Sequence, residues 1–280
     1  MSKYKYWTVS LALMLPLLAL GQSKPSYYLS LRVDYEASRL LGDDLNDFYL
    51  SYNEYHASFT SLFFDTLRAN ELSHFNFGLG SRIATGEDIG FSGSAFLMLG
   101  RKTIRRDAIF LTNIVTRTDL QVNDLTLHFD GGIHYQRKYF AHLQVGMRSR
   151  RNTFDVGYIY ADGSYSLGNE YDILGVYQSF TSTLDLGLNL GIKVKQFYIP
   201  IGISWPVVLF PEDRLYLEDF DALQGNNQLP RDYRQWANEP AGLDPATQLV
   251  RGESFRAMRI NIGLEFWLDT KWNKTDEPTQ

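Results

Sequence analysis

Apolar and polar residues alternate with a period of two over several long stretches of the chain. Between Leu184 and Val194 every second residue is aliphatic, and the residues between them are polar or glycine. The same alternation runs through Phe197–Leu209 and Met258–Leu268. A period of two is the repeat of a β-strand with one apolar and one polar face. The chain is therefore predicted to be all-β.

Strand length distinguishes the two all-β architectures that alternate in this way, a soluble sandwich and a membrane barrel. The alternating stretches reach about ten residues, the length of a tilted strand that crosses a bilayer. Their polar faces combine charges with many glycines, which suit a narrow lumen. Beyond residue 21 there is no run of about 20 apolar residues that would make a membrane helix. We therefore predict a transmembrane antiparallel up-and-down β-barrel, with a periplasmic sandwich as the alternative.

About ten strands are predicted, an even number as in single-chain bacterial barrels. They are Tyr27–Glu36, Ser73–Ala84, Ile89–Arg101, Ala108–Arg117, Asp124–Gln136, Phe140–Ser149, Thr153–Ala161, Tyr177–Val194, Phe197–Leu209 and Phe255–Leu268. A further pair of strands inside 37–72, where Tyr49–Phe64 is rich in tyrosine and phenylalanine, would give twelve. Long connections 37–72 and 210–254 are predicted to be outer loops, and short ones such as 85–88, 118–123, 150–152 and 195–196 to be periplasmic turns.

The first 21 residues have the features of a secretory signal peptide. Lys3 and Lys5 precede an apolar stretch that ends in the small-residue site Ala19-Leu20-Gly21. The predicted organisation is a signal peptide at 1–21, an outer-membrane barrel at 22–268 and a polar periplasmic tail at 269–280. Export through the inner membrane to the cell outer membrane follows from this organisation.

Composition removes several classes of function. The chain has no cysteine, which excludes a lipoprotein anchor, disulfides and thiolate metal sites. Without its two signal-peptide lysines the chain has 25 basic and 32 acidic residues, a formal charge of −7. Nucleic-acid binding needs a basic surface and is therefore not expected. No cofactor motif is present, so no cofactor is predicted.

The last predicted strand carries a short motif of known type. Asn261, Gly263, Phe266 and Leu268 resemble the assembly signal of outer-membrane β-barrel proteins, although twelve residues follow Leu268 where that signal commonly ends the chain. The resemblance implies that the barrel-assembly machinery recognises this strand during folding. The signal peptide and the tyrosine-rich strands also resemble outer-membrane proteins of Bacteroidota.

The interior of the predicted barrel contains charged residues and a histidine pair that are candidates for a function. Eight charged residues are expected to face inward and to form ion pairs there: Arg82, Asp130, Arg148, Asp155, Asp185, Lys193, Arg259 and Glu265. If Arg137–Tyr139 form a hairpin loop, His134 and His142 face each other across adjacent strands. Such a pair can bind a metal or respond to pH. No third ligand is identifiable, so no metal site is predicted.

Two further features suggest alternative functions. His56-Ala57-Ser58 has the spacing of a His and a Ser that share one face of a strand, as in some outer-membrane lipid hydrolases. The loop from Pro211 to Glu253, with Tyr233 and Trp236, is a candidate for recognising a ligand or a protein. The sequence thus predicts a non-enzymatic barrel with a structural, binding or accessory role that contacts outer-membrane lipid. A narrow channel and a lipid-modifying hydrolase are the alternatives.

Overall fold

The computed structural model describes residues 25–38, 44–68, 71–166, 174–210, 216–217, 229–238, 250 and 258–269. Its strands are β1 (Ser26–Ser38), β2 (Thr60–Leu62), β3 (His74–Ala84), β4 (Ile89–Phe110), β5 (Val115–Tyr135), β6 (Tyr139–Ile159), β7 (Tyr165–Ser166), β8 (Gly175–Val194), β9 (Phe197–Phe210), β10 (Tyr216–Leu217) and β11 (Arg259–Asp269). Two helices, α1 (Asp44–Tyr55) and α2 (Tyr233–Asn238), lie in the connections after β1 and β10. None of the described helices is long and apolar enough to span a bilayer.

The strands form one antiparallel sheet that closes on itself. Its hydrogen-bonded path runs in the order β10-β8-β9-β11-β1-β3-β4-β5-β6-β7, with β2 on the edge of β4. Pairing of β6 with β8 and of β1 with β11 closes the long strands into a ring. The predicted class, an antiparallel up-and-down barrel, is confirmed. Its closed ring consists of the eight strands β1, β3, β4, β5, β6, β8, β9 and β11, and the short strands β2, β7 and β10 pair at its edges.

The strand boundaries differ from the predicted ones on the side of the barrel that has the longest strands. The predicted strand Ala108–Arg117 does not form, because 111–114 is the turn between β4 and β5. Residues 118–123 and 150–152, predicted to be turns, lie inside β5 and β6. The extra pair of strands inside 37–72 does not form in the described part of that segment, where α1 and a turn are followed by the short edge strand β2.

An apolar band surrounds the outside of the barrel. Cross-strand rows on β4, β5 and β6 place exposed apolar residues side by side from the row of Ile89, Tyr135 and Tyr139 to the row of Leu99 and Leu125. Ten residue steps of about 3.3 Å, tilted by about 40°, give a band of roughly 25 Å, the height of the lipid-facing zone of membrane barrels. The outward apolar faces predicted from the alternation are confirmed.

The polarity of the two faces reverses above this band. Along β5 the outward face changes from Leu125 to Asn123, and the inward face changes from Asp124 to Val122 and Leu120. The alternation of side chains continues without a shift, so the apolar residues move from the outside to the inside of the wall. The same reversal occurs on β6, where Phe154 is buried. The upper part of this wall therefore has the hydrophobic interior of a soluble protein.

The connections fall into two groups at opposite ends of the barrel. Turns 85–88, 136–138 and 195–196 lie at the end that contains the start of β1 and the end of β11. The strand ends that lead into the longer connections 39–73, 160–174 and 211–258 lie at the opposite end, together with turn 111–114. This asymmetry is typical of barrels with short periplasmic turns and long outer loops.

The apolar band generates a test with a matched control on one strand. Leu127→Arg, in the middle of the band on β5, should lower the free energy of unfolding by about 2–4 kcal/mol. Gln121→Arg lies on the same face of the same strand above the band and should change it by less than about 0.5 kcal/mol. Urea unfolding in lipid vesicles measures both variants. Equal effects would contradict the position of the band.

Candidate functional site

The lower part of the lumen is filled by an ion-pair cluster. Arg82 on β3 binds both carboxylate oxygens of Glu265 on β11 at 2.9 Å and contacts Asp130 on β5 at 3.3 Å. Arg32 and Asp34, two residues apart on β1, share the inward face and pair at 2.8 Å. All five side chains are buried. Buried charges of this kind are tolerated because each has an opposite partner with good geometry.

A second ion-pair cluster lies above the first. Arg148 on β6 binds both carboxylate oxygens of Glu36 on β1, at 2.6 and 2.9 Å, and Asp124 on β5 at 2.8 Å. Arg150 pairs with the same Asp124 at 2.6 Å. This cluster joins strands from opposite sides of the barrel, so it fills the cross-section instead of lining a channel.

A smaller group of charges extends this second cluster across the lumen. Arg259 on β11 pairs with Asp185 on β8, and Arg148 reaches Asp185 at 3.5 Å. Six of the eight predicted inward charges are thus confirmed as members of the network. Asp155 is not, because it lies on the outward face of β6 and accepts a hydrogen bond from Tyr165 at 2.8 Å.

Aromatic rings close the end of the lumen that carries the short turns. Tyr28, Phe140, Tyr198 and Trp267 pack together, with ring centroids 5.0–5.8 Å apart. Their positions on four different strands make them a plug across the lumen. Lys193, the remaining predicted inward charge, lies 4.1 Å from the centroid of the Trp267 ring. A cation over an indole face is favourable, so the plug also accommodates that charge.

Little empty space remains inside the membrane part of the barrel. The cavity between the two ion-pair clusters measures about 20 Å³, which is enough for a single water molecule. It is bordered by Asp34, His128 and Arg148. The described strands therefore enclose a packed interior.

The predicted histidine pair is buried and faces inward, but its register differs from the prediction. His134 lies opposite Phe140 and His142 opposite Gly132, because the turn is 136–138 and not 137–139. Phe140 lies between the two imidazoles, with its ring 5.5 Å from one and 5.7 Å from the other. The two histidines therefore do not form a joint metal site.

Each of these histidines has its own hydrogen-bond partners. Nε2 of His134 lies 2.9 Å from the carbonyl oxygen of Thr85. Nε2 of His142 lies 2.6 Å from Oγ of Ser92, and its Nδ1 lies 3.1 Å from Asp130. His142 thus connects the lower ion-pair cluster to β4, and His134 connects β5 to the turn at 85–88.

One buried group has the composition of a metal site. Ligand atoms of Glu36, His74 and Asp124 lie within 4.8 Å of one another. Each carboxylate oxygen already accepts a hydrogen bond from Arg148 or Arg150, and the two guanidinium charges would repel a cation. The group therefore functions as part of the ion-pair network.

The predicted lipid-facing pair His56 and Ser58 is wrong in its geometry. Both residues lie in the turn after α1 and not on a strand. The His56 ring packs against Tyr52, Phe110 and Tyr233 in the upper part of the protein. A His and a Ser on one lipid-facing strand surface, which was the basis for the hydrolase alternative, are not present at these positions.

The upper end of the barrel is covered by a cap built from α1 and α2. Leu45, Phe48, Tyr49 and Tyr52 have the spacing of one helix face and are buried against the wall. Phe48 and Tyr49 pack on Phe154 of β6, with ring centroids 5.9 and 6.2 Å away. The reversal of polarity on the strands thus provides an apolar surface on which the helix can pack.

Hydrogen bonds fix the orientation of the cap on the wall. The hydroxyls of Tyr49 and Tyr52 lie 3.0 Å from those of Thr118 and Thr116 on β5. Burial raises the pKa of Tyr49, so its hydroxyl stays protonated and available as a donor. These polar pairs satisfy hydroxyls that would otherwise be buried without partners.

The predicted recognition residues have different positions in this cap. Tyr233 is buried among Phe48, Tyr52 and His56, so it stabilises the cap and does not present a binding surface. Trp236 is part of the same short helix, and its side chain lies outside the described residues. The helix itself, α2, packs on α1 through Tyr233, and an exposed ion pair joins Arg234 and Glu54 at 2.7 Å.

The strand with the assembly-signal residues closes the barrel. Asn261 and Gly263 face inward, while Phe266 and Leu268 face outward, and β11 pairs with β1 on one side and β9 on the other. A Cβ on Gly263 would overlap the Asp34 carboxylate, so a larger residue there would have to displace Asp34, which pairs with Arg32. Recognition of this strand during assembly stays a prediction.

Comparisons with known proteins find no matching family model and no matching curated sequence. Among solved structures, the chain resembles Ail, the attachment invasion locus protein of Yersinia pestis, with 11% identity, a TM-score of 0.39, and coverage of 87% of this chain and 99% of that one. It also resembles the outer membrane protease OmpT of Escherichia coli, with 12% identity, a TM-score of 0.31, and coverage of 87% and 96%. Both likenesses are weak, so the barrel assignment rests on strand pairing and burial. The resemblance to Bacteroidota proteins stays a prediction.

The packing of the cap on the wall gives a second test. Phe154→Ala should remove about 3–5 kcal/mol of packing free energy from the interface between α1 and β6. We expect the cap to become sensitive to protease while the membrane part still shows heat-modifiable migration on gels. Thr153→Ala, the outward-facing neighbour on β6, serves as the control. If Phe154→Ala abolished both the protease resistance of the cap and the heat-modifiable migration, the cap would not be separable from the barrel.

Proposed function

We propose that the protein is a non-conducting barrel of the outer membrane that holds a rigid recognition head at the cell surface. The observation that carries the proposal is the reversal of polarity on β4, β5 and β6. In the lower half of these strands, apolar residues face outward, toward lipid, and charged residues face inward. In the upper half, polar residues face outward, toward water, and apolar residues face inward to form a core. Such a strand belongs in a wall that spans a membrane and continues into water.

The wall extends far enough above the apolar band to form a separate head outside the membrane. Strand β4 continues from Leu99 to Phe110 above the apolar band. Eleven residue steps at about 3.3 Å, tilted by about 40°, extend roughly 28 Å beyond the bilayer. Loops on rigid scaffolds commonly carry recognition, and α1 and α2 are packed on such a scaffold here.

The packed lumen favours a binding or structural role over a channel. A solute path would have to displace the aromatic plug and both ion-pair clusters, and the cost of separating buried charges opposes that. The position of His56 and Ser58 in a turn removes the reason to propose a lipid hydrolase. A signal peptide at 1–21 and a tail at 269–280 belong to the same proposal.

The absence of cysteine from the sequence allows a direct test of orientation. Glu54→Cys on α1 should react with a membrane-impermeant maleimide on intact cells, because the head faces outward. Lys138→Cys, in a short turn at the opposite end, should react only after the outer membrane is permeabilised. The reverse pattern would refute a surface head, and labelling of both sites in intact cells would refute the membrane location.

Conductance in planar bilayers tests the closed lumen. The wild-type protein should give no stable current steps, because no continuous aqueous path crosses the ion-pair clusters. Replacing Glu36 and Arg148 together by alanine removes one pair from the second cluster but leaves the lower cluster and the aromatic plug, so this variant should also give no stable current steps. The exposed pair Arg105 and Asp119, 2.7 Å apart, provides the matched double-alanine control and should be equally silent. Steady channel activity of the wild type would favour the channel alternative.

A further inference from the structure

The outward face of the tall wall becomes apolar a second time near its upper end. Five successive cross-strand partners on β2, β4, β5, β6 and β7 are aliphatic or aromatic: Leu62, Ile109, Val115, Ile159 and Tyr165. Directly opposite residues share one face of an antiparallel sheet, so these side chains form an unbroken row, which we call the distal row. Ile109 has the same parity on β4 as Leu97 and Leu99, so the row faces outward.

Mostly polar residues separate the distal row from the apolar band. Four rows lie between them on β4, β5 and β6, beginning with Arg101 and ending with Asp107 on β4. Ten residue steps from Leu99 to Ile109, at about 3.3 Å each and tilted by about 40°, extend roughly 25 Å beyond the band. The distal row points away from the core that the wall forms with α1, so the packing of the head does not account for it.

Two turns next to the distal row carry the most exposed apolar side chains of the described head. Phe59 lies in the turn after α1, and Leu111 lies in the turn between β4 and β5. The backbone amide of Leu111 donates to the carbonyl oxygen of Phe59 at 2.8 Å, which holds the two turns side by side. Phe59 is 63% exposed and Leu111 is 66% exposed, as much as the lipid-facing Phe77 at 61%. The head therefore ends in side chains with the exposure of the membrane band.

The charged residues below the distal row are neutralised by one another. The two nearest rows contain two bidentate ion pairs, Arg105 with Asp119 at 2.7 Å and Arg117 with Asp107 at 2.8 Å. The third carboxylate of these rows, Asp155, accepts a hydrogen bond from Tyr165 at 2.8 Å, and burial raises its pKa. Apolar contact and not charge attraction therefore dominates what this end of the head offers to a partner.

The size of this apolar surface distinguishes a lipid partner from a protein partner. A stable protein interface takes about 20–30 residues from each side. The distal row, Phe59 and Leu111 provide seven side chains, too few for such an interface. A fluid bilayer needs no complementary shape, and the affinity for it grows with the apolar area that enters it. Side chains that protrude from two turns are suited to that kind of contact.

We propose that the distal row, together with Phe59 and Leu111, docks the head onto the surface of a second lipid bilayer. The inference rests on the proposed function, in which the head stands away from the membrane that holds the barrel. That membrane ends roughly 25 Å below the distal row, so the contact is made with an apposed bilayer. Phe59 and Leu111 enter its apolar region, and the hydroxyl of Tyr165 stays at the level of the headgroups.

The test separates the barrel's own bilayer from the added one. The protein is reconstituted in lipid nanodiscs and mixed with phosphatidylcholine vesicles, and the bound fraction is measured by flotation. We expect the wild type to float with the vesicles. Phe59→Asp with Leu111→Asp should lower the partition coefficient by about tenfold or more, because burial of one such side chain corresponds to about one to two decades of affinity.

A leucine outside the distal row provides the matched control. Leu50 lies on α1 and is 49% exposed, so Leu50→Asp places the same charge on another exposed apolar site of the head. This variant should float as the wild type does. Flotation of the double variant at the wild-type level, or equal losses in the double variant and the control, would overturn the proposal. So would a wild type that does not float.

Two further measurements separate a bilayer from other partners. Because the chain has no cysteine, Leu111→Cys can carry a single polarity-sensitive fluorophore. Its emission should shift to the blue when vesicles are added, whereas the same label at Glu54→Cys on α1 should not change. Loss of binding in high salt would indicate an electrostatic contact and would contradict apolar insertion. Nanodiscs that associate in pairs without vesicles would assign the surface to a second copy instead of a bilayer.

Failure of the docking and failure of the proposed orientation give different results. Flotation of nanodiscs does not depend on the direction in which the barrel is inserted in a cell. Labelling of Glu54→Cys on intact cells, without flotation of the wild type, rejects the docking alone. A reversed maleimide pattern for Glu54→Cys and Lys138→Cys rejects the surface head, whatever the flotation.

Discussion

The backbone hydrogen bonds between neighbouring strands fix the direction of every side chain in this barrel. Once two strands are paired, residues alternate between the inside and the outside for the whole length of the strand. The environment on each side changes with height, from hydrocarbon to water on the outside and from charges to an apolar core on the inside. The sequence must therefore exchange its apolar residues between the two faces while the backbone continues unchanged, as at Asn123 and Asp124 on β5.

This exchange explains how far the fold could be predicted. The strands predicted at Tyr177–Val194 and Phe197–Leu209 agree with β8 and β9 to within two residues at each end, because the alternating stretches Leu184–Val194 and Phe197–Leu209 keep one face apolar. At residues 118–123 and 150–152 the apolar positions change parity, and a change of parity looks like a turn when pairing is unknown. Helix α1 had a usable signal in the spacing of Leu45, Phe48, Tyr49 and Tyr52. Its many aromatic residues favour strands as well, and they led to the wrong interpretation.

For the candidate sites too, the alternation of residues predicted which side chains face inward but not which of them are in contact. Inward placement of His134, His142 and most of the lumen charges followed from alternation and was confirmed. Which residues meet depends on the register, and a turn displaced by one residue separated the two histidines. The pairing of Arg148 with Glu36 could not be predicted from sequence, because the two residues meet only through the closure of the barrel. The packing of Tyr233 in the cap likewise depends on contacts between segments about 180 residues apart.

The ion pairs in the lumen join segments that are far apart in the chain. Arg82 and Glu265 are separated by 183 positions, and Arg148 and Glu36 by 112. While only part of the ring exists, these charges would face hydrocarbon or a dry interior without their counterparts, at a cost of several kcal/mol per ion. Intermediates with an open seam are therefore penalised twice, by the unpaired strand edge and by the uncompensated charges. The interior thus makes insertion an all-or-none event, in which the first and last strands must meet before the interior becomes neutral.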